Sequence, residues 1–349
     1  MIIRRNTQAG GELLNVDTHC HVLCLAAEDL VADRPQKQSE RETMIENLGE
    51  ASVVRNEEMM SALLPKLTDP VARLADMDAQ GIDMQILSPS PTQYYYWADK
   101  DLSSDLVNTQ NEMIAEMCGA HPDRFAGMGA VSLQHPELAG EQLRKMIKDY
   151  GFRGVEISST VGGREIADAK FRPFWRAAAE LGIVVFIHPL GTSLGARTSK
   201  YYFANLVGQP LEITLALSQL IVGGVLDRFP SLKVLAAHGG GYLGLCSGRI
   251  DHGWRVRPET HTTPARPSDY LNRIFFDSVV HDQRELQQLI AKVGVSNVLV
   301  GSDYPFDMGL EDPIGHISSV SDLSAHDSHC ICGGNAIALF GLADEKRGN

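Results

Sequence analysis

Cysteine is scarce in this chain, with six among 349 residues: Cys20, Cys24, Cys118, Cys246, Cys330 and Cys332. So thin a scatter excludes a disulfide-stapled scaffold and suits a reducing compartment, and a cytoplasmic protein is expected. Long apolar runs are missing as well. None reaches the roughly 18 residues of a membrane span, and the start, MIIRRNTQAGGELLNV, has arginines but no apolar stretch of signal-peptide length. Positive charge is in short supply: 31 lysines and arginines against 44 aspartates and glutamates give a net charge of -13. That balance repels phosphate backbones and anionic lipid, so neither nucleic acid nor membrane is an expected partner. An anionic substrate would then need a local arginine. No P-loop is present, because the glycines 239–241 do not form GxxxxGK[ST], and no nucleotide cofactor is indicated.

What is present points to one large folded unit. Hydrophobic residues make up 44% and charged residues 21%, far from the composition of disorder. The length accommodates one (β/α)8 barrel of about 250 residues with insertions, and a single domain over 1–349 is expected. Eight short apolar, β-branched runs recur, at 12–22, 83–90, 125–133, 154–159, 183–189, 232–239, 274–280 and 297–305. Longer segments of helical period separate them. DPVARLADMDAQG ends in Gly81, and PELAGEQLRKMIKDYG opens on proline and stops at Gly151. EITLALSQLIVGGVLDRFP reads as a buried outer helix weakened in its middle by Gly223 and Gly224. Eight alternations predict a closed α/β barrel, the (β/α)8 or TIM fold. The mixed, charged stretch 23–68 reads as an insertion over the barrel mouth, and the last residues, ADEKRGN, as a frayed tail.

The chemistry concentrates at the carboxyl ends of these runs. His19 and His21 lie two apart on the first strand, so both side chains project from one face while Cys20 points away. An isolated HxH can be an accident of composition. Here His188 ends the fifth run, His238 the sixth and Asp303 the eighth, so four strand ends converge on one mouth. Burying several imidazoles and a carboxylate together is costly unless a divalent cation uses them. Histidine and aspartate donors without a positioned thiolate suit zinc, one per chain, with manganese, iron or cobalt as alternative occupants.

The segments DTHCHV, FIHPLG, VGGVLDRFPSLKVLAAHGGGYLGLCSGRIDHGWRVRP, VLVGSDYPF and GGNA make the chain resemble the amidohydrolase superfamily, in its aminocarboxymuconate-semialdehyde decarboxylase-like branch. The resemblance implies a TIM barrel of the metal-dependent hydrolase type. It also implies that His19, His21, His188 and Asp303 ligate one zinc with a bound water, while His238 acts beside that water as general acid/base. Histidine, with an ordinary pKa near 6.5, suits that proton transfer. Arg257 matches the arginine that grips a substrate carboxylate in the resembled decarboxylases, with Arg255 close enough to compete; the alternative is a solvated loop charge. Arg55 is the nearest candidate for a second such arginine. The resemblance further implies a homodimer in which one partner's arginine completes the neighbour's site. Leu190 stands where the resembled decarboxylases carry tryptophan, so the pocket is expected to differ in shape.

Other residues carry two readings each. Arg249 is expected to form a structural ion pair. Tyr94, Tyr95, Tyr96 and Trp97 follow the second strand and would either stack on a planar substrate or pack their loop onto the barrel. Asp277, His281 and Asp282 are candidates to orient a ligand or touch substrate. His329, Cys330 and Cys332 lack a four-ligand pattern and read as structural. The expected function is nonoxidative decarboxylation of an unsaturated or aromatic carboxylic acid. Metal-dependent hydrolysis of a carbon–carbon bond, lactone or amide, hydration of a ring-cleavage product, and a non-catalytic binding barrel are the alternatives.

Overall fold

Each of the eight apolar runs contains a strand in the computed structural model, which describes residues 14–342. The start of the chain and the expected tail ADEKRGN lie outside the described residues. The strands are Val16–Val22 (β1), Met84–Pro89 (β2), Phe125–Gly129 (β3), Gly154–Ile157 (β4), Val184–Ile187 (β5), Lys233–Ala236 (β6), Ile274–Asp277 (β7) and Val298–Leu299 (β8). They pair in chain order, all parallel. The residues after β8 return to β1 through Thr18 N to Val300 O (2.9 Å) and His21 N to Tyr304 O (2.8 Å), which closes the ring into a barrel.

Helices follow the strands where their caps dictate. The stretch 23–68 is helical: Leu25–Val31 (α1), Pro35–Gln38 (α2), Glu40–Leu48 (α3) and Glu50–Thr68 (α4). Gly49 separates α3 from α4 at φ 82°, and a Cβ there would meet Ser199 O at 2.0 Å, so these helices lie hard against the loop that follows β5. The helix Pro70–Gln80 (α5) starts on the Asp69 carboxylate, which accepts from Val71 N (2.8 Å), and ends at Gly81 in the left-handed region. Next come Lys100–Ala120 (α6), Pro136–Tyr150 (α7) and Arg172–Leu181 (α8). The long helix expected over 212–230 is two, Gln209–Val222 (α9) and Val225–Arg228 (α10). Gly224, at φ 70°, interrupts the helix outright where a weakening was expected. Leu243–Val256 (α11), Gln283–Val293 (α12), Pro313–Ser318 (α13), Ala325–His329 (α14) and Asn335–Phe340 (α15) complete the set. Among the described residues no helix is long and apolar enough to cross a membrane.

Strand alternation sorts the side chains into two cores and one polar layer. Val155 and Ile157, Val185 and Ile187, and Val234 and Ala236 face outward into the layer under the helices. Val16, Ile86, Met128, Val184, Phe186, Leu235 and Leu299 fill the barrel interior, and Ala336, Leu339 and Phe340 of α15 pack into the same cluster from its amino-terminal end. A bulge between Asp17 and Cys20 shifts the parity of β1, so Val16 and the pair His19 and His21 all face inward while Cys20 and Val22 face out. Above the apolar filling, the carboxyl ends of the strands therefore hold a polar layer. Because α15 closes the interior from below, Phe340→Ala is expected to destabilise the metal-free protein by about 3–5 kcal/mol. A urea denaturation midpoint equal to that of the parent would contradict this.

Candidate metal centre

Parity carries the functional residues inward. His188 continues the inward row Val184 and Phe186 of β5, and Asp303 continues Leu299 and Gly301 beyond β8. Position 301 has no room for a side chain, since a Cβ would lie 2.8 Å from that of His19 and 2.9 Å from that of Asp277. His238 is different. The inward residue at the end of β6 is Ala237, and His238 enters the layer through a left-handed turn, with φ 54° at His238 and 58° and 72° at Gly239 and Gly240. Asp303 sits at φ 59°. Such conformations cost of the order of 1–3 kcal/mol each at non-glycine residues and persist where surrounding contacts impose them.

One ligand atom from each of His19, His21, His188 and Asp303 lies within 4.8 Å of the others, and all four residues are buried. This is the one such cluster among the described residues. Asp303 Oδ1 is 3.2 Å from Nε2 of both His19 and His21, and His238 Nε2 is 3.5 Å from Asp303 Oδ2. Among the described residues, neither ring nitrogen of buried His188 has a hydrogen-bond partner, and neither does Asp303 Oδ1. Buried polar atoms without partners are expensive. A divalent cation on three imidazoles and one carboxylate removes that cost, so the residues fit a metal.

Electrostatics in the cluster are strongly coupled. Burial favours the neutral ring of His19, but the Asp303 charge and the hydrogen bond that the ring donates to Asp277 outweigh it and hold His19 up at about 10, against an ordinary 6.5. Burial, then the charges of His238, His21 and His19, push His188 far down. Burial would raise Asp303, but the facing histidines hold it well below the usual carboxylate range.

Asp277 does the orienting expected of it. Its Oδ2 is 2.5 Å from His19 Nδ1 and also accepts from His238 N (2.9 Å), while Oδ1 accepts from Gly239 N (2.7 Å). One carboxylate thus fixes the ring of His19 and the strained turn that presents His238. Asp282 instead caps α12, accepting from Arg284 N (2.7 Å), and His281 lies on the pocket wall. The aromatic cluster serves packing: Tyr94 stacks on Tyr96 with centroids 5.3 Å apart, Tyr96 Oη accepts from Ser158 N (3.2 Å), and Tyr95 donates to Glu28. A residue missed from the sequence is Glu156. Its signal was a lone carboxylate inside the apolar strand GVEI, and it faces His21 with Oε2 3.5 Å from Nδ1.

A cavity of about 560 Å³ opens from His238 and Asp303, walled by Leu206, Pro210, Val279, Val280, Leu289 and Met308. Neither expected arginine lines it. Arg257 is exposed and donates to Glu259 from Nε (2.8 Å) and Nη2 (2.5 Å), and Arg55 is exposed on α4 beside Glu58. The reason is length, because the 14 residues of α11 carry Arg257 about 20 Å from Tyr242 on the cavity wall. Arg255 faces His252, and exposed Arg249 makes no ion pair among the described residues, so its expected structural pairing is not found. Leu190 is half exposed. Cys330 Sγ is 3.6 Å from His326 Nε2, and His329 and Cys332 join no metal cluster among the described residues.

Since a metal must displace the proton His19 holds up to about pH 10 in the metal-free protein, apparent metal affinity should rise with pH through the neutral range, by up to about tenfold per unit. Calorimetric titration at pH 7 in buffers of different ionisation enthalpy should detect at least about one proton released per metal, since His21 is also shifted upward; no buffer dependence would contradict the assignment.

Known proteins resemble this chain over nearly all of its described length. The amidohydrolase family model matches residues 16–342. The 2-amino-3-carboxymuconate-6-semialdehyde decarboxylase of Dictyostelium discoideum is 36% identical, with 80% of this chain and 78% of that protein covered. The gamma-resorcylate decarboxylase of Rhodococcus jostii is 28% identical, covering 77% and 87%. Among solved structures, the 5-carboxyvanillate decarboxylase of Novosphingobium aromaticivorans, crystallised with manganese and 4-hydroxy-3-methoxy-5-nitrobenzoic acid, superposes with a TM-score of 0.84 over 97% of this chain and 100% of that one. At 24% identity that likeness is one of fold.

Proposed function

The chain belongs to the amidohydrolase family, in the aminocarboxymuconate-semialdehyde decarboxylase-like branch, and from that premise we propose that it is a metal-dependent nonoxidative decarboxylase of an aromatic or conjugated unsaturated carboxylic acid. His19, His21, His188 and Asp303 would hold one divalent cation, zinc by the preference of three imidazoles and a carboxylate, with manganese the alternative. When bound, the metal supplies a Lewis acid for a substrate oxygen and acidifies a water to a pKa of about 7.

The observation that carries the reading is the placement of His238. The four donors are buried, whereas His238 is partly open, on the cavity wall, with Nε2 beside Asp303. A proton held at that nitrogen is positioned for delivery to the substrate carbon that bears the carboxylate. The new carbon–hydrogen bond replaces the carbon–carbon bond to the carboxylate, whose electron pair returns to the conjugated system as carbon dioxide leaves. Leu206, Pro210, Val279 and Met308 offer a flat conjugated acid an apolar wall and keep water from competing for the reacting carbon. Arg257, too far along α11 to serve its own cavity, is assigned to the substrate carboxylate of a neighbouring copy in a homodimer. Six unpaired cysteines suit a reducing cytoplasm as the setting.

A panel of hydroxybenzoate and muconate acids should include one that releases carbon dioxide without net consumption of water. His238→Asn should lower kcat on it by about 10²–10⁴-fold while metal content is kept. Turnover that adds water and releases no carbon dioxide would favour the hydrolase or hydratase reading, and an inert metal-loaded protein would favour a binding barrel.

A further inference from the structure

We propose that Glu156, held by Tyr94, is a positioning residue that fixes His21 for metal binding; the proposal rests on the metal reading above. Each histidine of β1 has a carboxylate behind its Nδ1. For His19 it is Asp277, at 2.5 Å. For His21 it is Glu156, whose Oε2 lies 3.5 Å away and has no hydrogen bond of its own. The other Glu156 oxygen accepts from Tyr94 Oη at 2.6 Å, and the same hydroxyl lies 3.2 Å from His188 O. A phenol has one proton for those two acceptors, and the shorter contact is to the carboxylate.

Glu156 is 1% exposed, and its ion-pair partner among the described residues is His21. A carboxylate enclosed in that way without a lysine or arginine is retained at a cost that packing alone does not explain, because Val155 and Ile157 supply the apolar contacts of β4 on the opposite face. Gln110, Ser132 and Gln134 enclose the far side of the pair around a void of only about 10 Å³, so bulk solvent does not screen its charge.

His21 Nε2 points into the cluster, 3.2 Å from Asp303 Oδ1, and must carry a lone pair to ligate. Its Nδ1 must then carry the proton. Pro89 O at 3.2 Å, Ser88 Oγ at 3.4 Å and Glu156 Oε2 surround that nitrogen, and Glu156 alone among them is charged. Pro89 O accepts the Nδ1 proton, and the negative charge 3.5 Å away favours that tautomer further and makes Nε2 a stronger ligand to a metal. Among the described residues His188 has no such carboxylate, and both its ring nitrogens are without hydrogen-bond partners.

The test compares the parent protein with Glu156→Gln, which keeps the shape and the Tyr94 contact but removes the charge, and with Tyr94→Phe, which keeps the charge but frees it. Zinc affinity is read by chelator competition, and the visible spectrum of the cobalt-loaded proteins reports the ligand field. Glu156→Gln should bind zinc about 10–100-fold more weakly with shifted cobalt bands, and Tyr94→Phe should move both in the same direction by less. Tyr94→Phe leaves the buried carboxylate without a hydrogen bond and should unfold earlier than the parent in the metal-free form, so affinity and spectrum are read at a temperature where all three proteins are folded. Parent-like zinc affinity and cobalt spectrum in Glu156→Gln would overturn the proposal. If that variant does not fold, parent-like values in Tyr94→Phe would overturn it instead. A parent protein that binds neither ion defeats the metal reading itself, a result distinct from either.

Discussion

Everything around the mouth of this barrel answers to one electrostatic constraint: three imidazoles and a carboxylate share a dry interior in which none can be solvated separately. Ionised groups removed from water need partners of opposite charge or a cation, and in their absence their proton affinities move far from ordinary values. His19 is held up at about 10 by Asp303 and Asp277 while His188, a few ångströms away, is driven down. Neighbouring rings of identical chemistry are thus pulled in opposite directions, which a shared divalent ion would relieve. The backbone conforms to the same demand. The bulge in β1 turns both histidines inward, Gly301 lets His19 and Asp277 approach, and the left-handed turn after β6 adds His238 where regular alternation offers Ala237.

The eight strands and the convergence of His19, His21, His188, His238 and Asp303 were legible because both depend on local pattern. Apolar runs of the right length mark strands, and polar residues at their carboxyl ends mark the mouth. Features that depend on long-range packing were not legible. The β1 bulge is invisible in DTHCHV, since either parity places His19 with His21. Glu156 was visible as a carboxylate in an apolar strand, but its meaning depends on the closure that sets β4 opposite His21. The aromatic cluster could have stacked on substrate or packed its loop, and only the contacts of Tyr94 and Tyr96 show it packing.

The arginines teach the converse lesson. Arg257 was chosen by motif, and the motif carries no information about the length of helix separating it from the cavity. Within one chain its guanidinium belongs to Glu259, a solvent-exposed pair of little energetic weight, and is therefore readily available to another acceptor. On the proposed reading, carboxylate recognition and metal chemistry would sit on different parts of the fold.

The most direct test of the account is the metal content of the purified protein, by plasma mass spectrometry, beside that of His19→Ala and Asp303→Ala. About one zinc or manganese per chain, lost in both variants with the fold intact, is the predicted result. A correctly folded parent protein that carries no divalent metal and acquires none when zinc or manganese is supplied would contradict it.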